Sequence, residues 1–146
     1  MEQLRILTAS RSREIEDSKS VRTTVFQQEQ GISRELDFDS DESAVHFVAY
    51  LGTNPIGAAR FRYLDLAKRT VKIERVAVLK EHRDKKVGKN IMNWIEGELR
   101  ARQVEKATLH SQETAKGFYE KLGYEQEGEA FEEAGIPHVN MVKPLI

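Results

Sequence analysis

The chain has 146 residues, with 24 acidic against 23 basic side chains, a formal net charge of −1, 39% hydrophobic and 32% charged residues. That length buries enough surface for a core without staples, and the absence of cysteine excludes a disulfide framework, a thiolate zinc site and a cysteine nucleophile while fitting a reducing cytoplasm. The longest apolar run spans only residues 47–51 and MEQLRILTASR has no basic segment followed by an apolar one, so neither a membrane span nor a secretion signal is expected, and the balanced charge speaks against nucleic-acid binding.

No stretch reads as a linker or repeat, so residues 1–146 are expected to form one domain. Leu4 to Thr8 reads as a strand, and the segment from Ser10 places Ile15, Val21, Val25 and Phe26 at helical spacing. After an acidic loop, Leu36 to Glu42, the runs Val45 to Leu51 and Ile56 to Leu64 flank Gly52-Thr53-Asn54-Pro55, a hairpin signal. A third run, Thr70 to Leu79, extends this into an antiparallel meander. From Val87 the period changes: Ile91, Trp94 with Ile95, and Leu99 continue the stripe of an amphipathic helix. The short strand Ala107 to His110 and a helix, Thr114 to Leu122, closed by Gly123, come next. Strand, helix, strand implies a right-handed parallel crossover, and Tyr124 to Lys143 reads as a closing hairpin. The fold class expected is α/β (α+β), a mixed and mostly antiparallel sheet with a parallel β-α-β crossover and flanking helices.

Chemistry concentrates where Ile73 to Val78 (IERVAV) leads through LKEHRDKK into the helix starting near Val87. Lys80 to Lys89 holds five basic residues against two acidic ones. A helix start exposes unpaired N–H groups and the positive end of its dipole, so a strand leading into it with basic residues suits a phosphate. Gly88 removes a side chain where backbone meets such a ligand, and Arg83, Lys85, Lys86 and Lys89 offer charge-assisted contacts. The alternative is a solvated charged face.

The run RVAVLKEHRDKKVGKNIM resembles the acyl-coenzyme A signature of the GNAT N-acetyltransferases: Arg or Gln, two residues, Gly, one residue, then Gly or Ala. Arg83 and Gly88 occupy its first and last positions, while Lys86 stands where the family usually has glycine. AKGFYEKLGY (Ala115 to Tyr124) is similar to the family's later helix and following strand, and VFQQEQGI (Val25 to Ile32) with EEAGIPHVNM (Glu132 to Met141) resembles its ElaA/YjcF-like branch. The resemblance implies direct transfer from acetyl-coenzyme A to an amine through a ternary complex. It also implies a fold in which the strands equivalent to IERVAV and ATLH splay to admit pantetheine.

By that resemblance Val76 and Val78 offer backbone hydrogen bonds to pantetheine; Arg83, Lys85, Lys86, Val87, Gly88, Lys89 and Phe118 belong to the coenzyme site. Glu74 is assigned as the base or water-positioning group, against the alternative of an ion pair with Lys72 or Arg75 at an exposed strand end. Tyr119 matches the residue that protonates the departing thiolate; the alternative has Phe118 and Tyr119 facing the core. Glu29 and His138 are candidates for the acceptor pocket, His138 also for a proton path. His46, His82 and His110 show no metal-ligand spacing, so no metal is expected. Asp37, Asp39, Asp41 and Glu42 are expected to form a solvated loop. A coenzyme-binding sensor or interaction module without turnover is the alternative function. The amine, whether polyamine, amino sugar, small amine or protein lysine, stays open; a homodimer is common in the family.

Overall fold

The computed structural model describes residues 3–146. Strand β1 (Leu4–Thr8) leads into helix α1 (Ser12–Arg22), which widens into a π-helical stretch over Thr23–Glu29. The short helix α2 (Arg34–Asp37) and a 3-10 turn precede the meander β2 (Val45–Leu51), β3 (Asn54–Tyr63) and β4 (Thr70–Val78). A 3-10 turn (Lys80–Lys85) then enters α3 (Val87–Ala101), followed by β5 (Lys106–Gln112) and α4 (Lys116–Lys121). The chain closes with β6 (Glu125–Gln126), β7 (Phe131–Glu133) and β8 (Ile136–Pro144).

Among the described residues eight strands form one sheet in the order β1-β2-β3-β4-β5-β8-β6, with β7 on β8. Every pairing is antiparallel except β4 with β5, which α3 joins as the expected crossover. The acidic segment is more ordered than its composition suggests, because it folds as α2 and a 3-10 turn. The closing hairpin is also richer: β8 pairs with β5, β6 and β7.

Alternation divides the core between two helices. Phe47, Phe61, Ile73 and Leu109 point toward α3 and meet Val87, Ile91, Met92, Ile95 and Leu99. Ala58 and Ala77 lie on the other face, under Val21, Val25 and Phe26 of α1 and its extension. Trp94, placed by spacing on the buried stripe, is instead 46% exposed and donates from Nε1 to Thr8 Oγ1 at 3.3 Å. Met92 takes the core position, because the π and 3-10 distortions lie elsewhere and α3 turns regularly at 100° per residue. Among the described residues no helix is long and apolar enough to cross a membrane.

One irregularity sets the shape of everything downstream. The β3–β4 register runs from Gly57 opposite Val78 and Ala58 opposite Ala77 to Arg60 opposite Glu74, leaving Arg75 and Val76 against Ala59 alone. This is a β-bulge, with Arg75 in the left-handed region at φ 57, a conformation that costs a non-glycine residue about 1–2 kcal/mol. The guanidinium of Arg75 offsets that cost by donating to Leu36 O at 2.9 Å and Asp37 O at 3.0 Å. Because strand faces alternate, the extra residue exchanges them: Val71 and Ile73 face α3, whereas beyond the bulge Ala77 faces α1.

The segment after α1 is locked down by ions. Arg22 and Asp37 are both fully buried; Arg22 Nε and NH2 reach Asp37 Oδ1 at 3.3 and 3.2 Å and NH1 reaches Asp41 Oδ1 at 2.9 Å. Arg60 also donates to Asp41 and, at 2.6 Å, to Asp39 O. The expectation of a solvated acidic loop is therefore corrected for Asp37 and Asp41: two arginines from α1 and β3 draw them inside. Replacing Arg22 by Met should lower the unfolding free energy by about 3–5 kcal/mol, because Asp37 is left buried without its main counter-charge. Urea denaturation would read this as a lower midpoint at unchanged slope; a wild-type midpoint would mean that Asp37 is neutralised elsewhere.

Candidate active site

The parallel pairing of β4 with β5 runs from Thr70 opposite Lys106 to Ile73 opposite Leu109 and stops there. Beyond it, β4 from Glu74 to Val78 turns away at the bulge, and the facing edges of the two strands part. The gap joins two cavities that share Val76, Val78, Arg83, Ala115 and Tyr119. The larger, about 410 Å³, lies on the α1 side against Phe26, Ile32, Arg62, Lys72, Glu74 and His110. The smaller, about 280 Å³, borders Lys86, Gly88, Lys89 and Phe118 at the start of α3.

The smaller cavity has the attributes of an anion cradle. No side chain caps α3, so its first-turn amides keep their donors and the positive end of a 15-residue helix dipole stays open. Lys86, at the position where glycine was expected, adopts φ 60, the conformation glycine takes freely, so the turn geometry is retained with a charge added. At Gly88 a Cβ would sit 3.3 Å from Phe118 Cζ; the missing side chain lets that ring close one wall. Lys89 is exposed beside it, and Val87 packs its side chain into the core, leaving only backbone for a ligand. Lys85 is exposed and lines neither cavity.

Arg83 stands between the two cavities and is already engaged. Its Nε donates to Val78 O at 2.9 Å and its NH2 to both Glu29 carboxylate oxygens at 2.6 and 2.8 Å. Two residues expected in separate subsites, a phosphate ligand and an acceptor ligand, thus form one ion pair. On the other side of the gap Gln112 Nε2 donates to Gln30 Oε1 at 2.9 Å. The end of the first helix is thereby tied to both strands.

Tyr119 is buried against Phe118 and Tyr124, with edge-to-face ring separations of 4.9 and 6.0 Å, and it also borders both cavities, so the core-facing packing does not remove it from the gap. Burial pushes its phenol well above its ordinary value, which keeps the hydroxyl protonated. That hydroxyl bonds no protein group among the described residues.

Glu74 is neither free nor at an exposed strand end. Only 8% exposed, it accepts from Arg60 Nε at 3.1 Å and Arg62 Nε at 2.7 Å, with Lys72 Nζ 3.3 Å away. Arg75, one of the partners considered from sequence, instead reaches the carbonyls of Leu36 and Asp37. Burial alone would raise the Glu74 carboxyl; the Arg62 hydrogen bond and the charges of Arg60, Lys72 and Arg62 outweigh it and bring it to about 2. A carboxylate so committed accepts protons poorly at neutral pH.

His138 is buried, with Nδ1 2.7 Å from Ile136 O, and stacks on Phe131 at 6.1 Å between centroids. Next to it, His110 Nδ1 lies 2.9 Å from Glu133 Oε1. Sequence spacing joined neither His110 nor Glu133 to the site, because β5 and the β7–β8 hairpin meet only through pairing across 23 residues. Arg60 and Arg62 were missed likewise; their signal was the alternation of charge along β3 facing that of Lys72 and Glu74 on β4. No group of His, Cys, Asp or Glu suited to a metal occurs among the described residues.

A family model described as "Acetyltransferase (GNAT) domain" matches residues 12–145. YjcF of Bacillus subtilis (strain 168), named an uncharacterized N-acetyltransferase, is 36% identical over 142 residues, which cover 96% of this chain and 99% of YjcF. The crystal structure of Escherichia coli ElaA superposes with a TM-score of 0.84 at 24% identity, covering 98% of this chain and 99% of ElaA. That of an aminoglycoside 6'-N-acetyltransferase complexed with coenzyme A gives 0.79 at 16% identity, covering 97% of each chain.

The Glu74 network makes a pH prediction. Its folded carboxyl ionises below the ordinary 4.5, so the stabilisation is complete above that value and is lost as pH falls toward about 2. Between pH 5 and pH 3 wild type should lose about 2 kcal/mol more stability than Glu74→Gln. Urea midpoints at the two pH values would show it; equal losses would mean that the carboxylate is not held by its cations.

Proposed function

The chain belongs to the GNAT acetyltransferase family and is an acyltransferase, and from that premise we propose that it moves an acetyl group from acetyl-coenzyme A to a primary amine by direct attack in a ternary complex. The observation that carries this reading is the gap between β4 and β5, which runs from the uncapped start of α3, past Tyr119, into a separate charged cavity. A donor and an acceptor enter from opposite ends and meet at the shared wall.

The residues present fit the donor. Amides at the start of α3, with Lys86 and Lys89, would hold the pyrophosphate; the unpaired edge of β4 around Val76 and Val78 would hold the pantetheine amides; Phe118 over Gly88 would flank the chain. Arg83 borders the same cavity while its Nε and NH2 hold Val78 O and Glu29, so it would link the phosphate end of the donor site to Glu29. The thioester supplies an acyl carbon open to attack, and no covalent enzyme intermediate is needed.

Tyr119 borders both cavities where the thioester sulfur would lie. With its proton held firmly, the hydroxyl donates to the sulfur as negative charge develops there. Glu74, saturated by cations, serves to fix Arg62 and Lys72 at the floor of the acceptor cavity and does not take the amine proton. The ternary-complex reading and the alternative of a coenzyme-binding module differ in what this hydroxyl does: a module has no use for it.

Titration calorimetry with acetyl-coenzyme A, with ATP as a control for generic polyphosphate binding, tests the donor site; saturable binding selective for acetyl-coenzyme A is expected, and equal binding of ATP would sink the assignment. Tyr119→Phe should retain that affinity and slow amine-dependent thiol release by about 10²-fold. Release at the wild-type rate would remove Tyr119 from the mechanism.

A further inference from the structure

We propose that His110, held by Glu133, is the group that takes the proton from the acceptor amine. This rests on the transferase reading above and assigns the step that Glu74 cannot perform.

Three side chains from three strands converge on one wall of the larger cavity: His110 of β5, Glu133 of β7 and His138 of β8. The pairing of Gln112 with His138 and of His138 with Phe131 brings those strands side by side. Glu133 Oε1 lies 2.9 Å from His110 Nδ1, and its Oε2 lies 3.8 Å from His138 Nε2. Phe131 meets the His110 ring edge-on at 4.9 Å and limits its rotation. A carboxylate can only accept, so Nδ1 is the protonated nitrogen and Nε2 of the neutral ring keeps its lone pair. This is the base-and-orienter arrangement that nucleophile-activating dyads use. His138 also has Nδ1 on a carbonyl, that of Ile136, but its side chain is 9% exposed against 29% for His110 and its Nε2 faces Glu133 Oε2, so it backs Glu133 and leaves the cavity to His110.

The remaining charges on the cavity wall leave this dyad as the available acceptor. Glu74 is neutralised by Arg60, Arg62 and Lys72, and Asp37 by Arg22. Asp39 is exposed at the rim, and Arg75 is turned to the Leu36 and Asp37 carbonyls. Burial tends to raise Glu133, but the hydrogen bond and charge of His110, followed by the charges of Lys72 and His138, hold it below its ordinary value, so it stays an anion beside the ring.

The proton count closes. An ammonium acceptor gives one proton to His110 Nε2, which passes it to solvent through the open cavity. The amine nitrogen then forms the N–C bond and the C–S bond breaks. The second proton leaving nitrogen ends on sulfur, relayed across the Tyr119 hydroxyl, which donates to sulfur and is restored from nitrogen. One acetyl group is transferred and one proton is released to water.

Two measurements test the dyad. In nitrogen-15 spectra of histidine-labelled protein without any ligand, the neutral His110 ring should carry its proton on Nδ1; an Nε2–H form would overturn the proposal, because that nitrogen would have no lone pair to offer. In thiol-release assays at saturating acetyl-coenzyme A, with whichever probe among spermidine, glucosamine, ethanolamine and an acetyl-lysine-free histone peptide reacts fastest, His110→Gln should lower kcat by about 10²-fold or more while acetyl-coenzyme A affinity is unchanged. Glu133→Gln should displace the acidic limb of the pH profile to lower pH, a change that a purely structural carboxylate would not produce. Wild-type rates and limb in both variants would overturn the proposal. Failure of wild type to bind acetyl-coenzyme A would instead sink the transferase reading itself, which calorimetry separates from the first outcome.

Discussion

The separation of β4 from β5 after four paired residues is the constraint on which the rest of the site depends. A sheet that stayed zipped from Thr70 to Val78 would have no gap, no unpaired backbone edge and no passage between the two cavities. Parting two central strands sacrifices hydrogen bonds that a buried backbone normally keeps, so something has to hold them apart. The bulge at Arg75 and Val76 does this on one side. It bends β4, exchanges which residues face α3, and turns Arg75 outward to grip α2. The left-handed φ of Arg75 is tolerated because its own side chain secures the loop that covers the site.

That loop explains why so many charges are buried. Arg22 and Arg60 reach Asp37, Asp41 and the Asp39 carbonyl from different elements, and Arg60 continues to Glu74. A buried ion pair is a weak source of stability, since desolvation consumes most of the attraction. Its value here is positional: the same arginine that holds the cover also holds the cavity floor, so the two cannot shift independently. The network has a chemical consequence as well. Glu74, on the wall of the larger cavity, becomes a counter-ion to Arg60, Arg62 and Lys72.

The element order was legible in the sequence because it rests on local periodicity. Alternation marked the meander, the 3.6-residue period marked α3, and Gly123 marked the end of α4 with φ 97. The start of α3 was legible too, since the change of period at Val87 and the basic turn before it are set by neighbours in sequence. What could not be read was whatever depends on register. The bulge has no glycine to announce it; Arg75 looks like any strand residue. Asp37 and Asp41 look like solvated loop acids until Arg22 and Arg60 arrive from other elements. His110 looked isolated because Glu133 lies 23 residues away and reaches it only once β8 has paired with both β5 and β7.

Two of the carboxylates that line the larger cavity, Glu74 and Glu133, show how one fold gives the same group different electrostatic surroundings. Glu74 sees three cations and drops to about 2. Glu133 sees imidazoles, with Lys72 at longer range, and falls below its ordinary value with no guanidinium against it. A carboxylate bound by arginines shares its charge with groups that never release their protons, so it can orient and nothing more. A carboxylate bound to a histidine instead fixes which ring nitrogen carries the proton. Pairs of titratable groups whose environments differ in this way mark acid and base assignments in active sites generally. Lys72 touches Glu74 directly and stands within electrostatic reach of Glu133. Changing its charge would therefore perturb both carboxylates at once, which ties the Glu74 network to the His110–Glu133 pair through a single side chain.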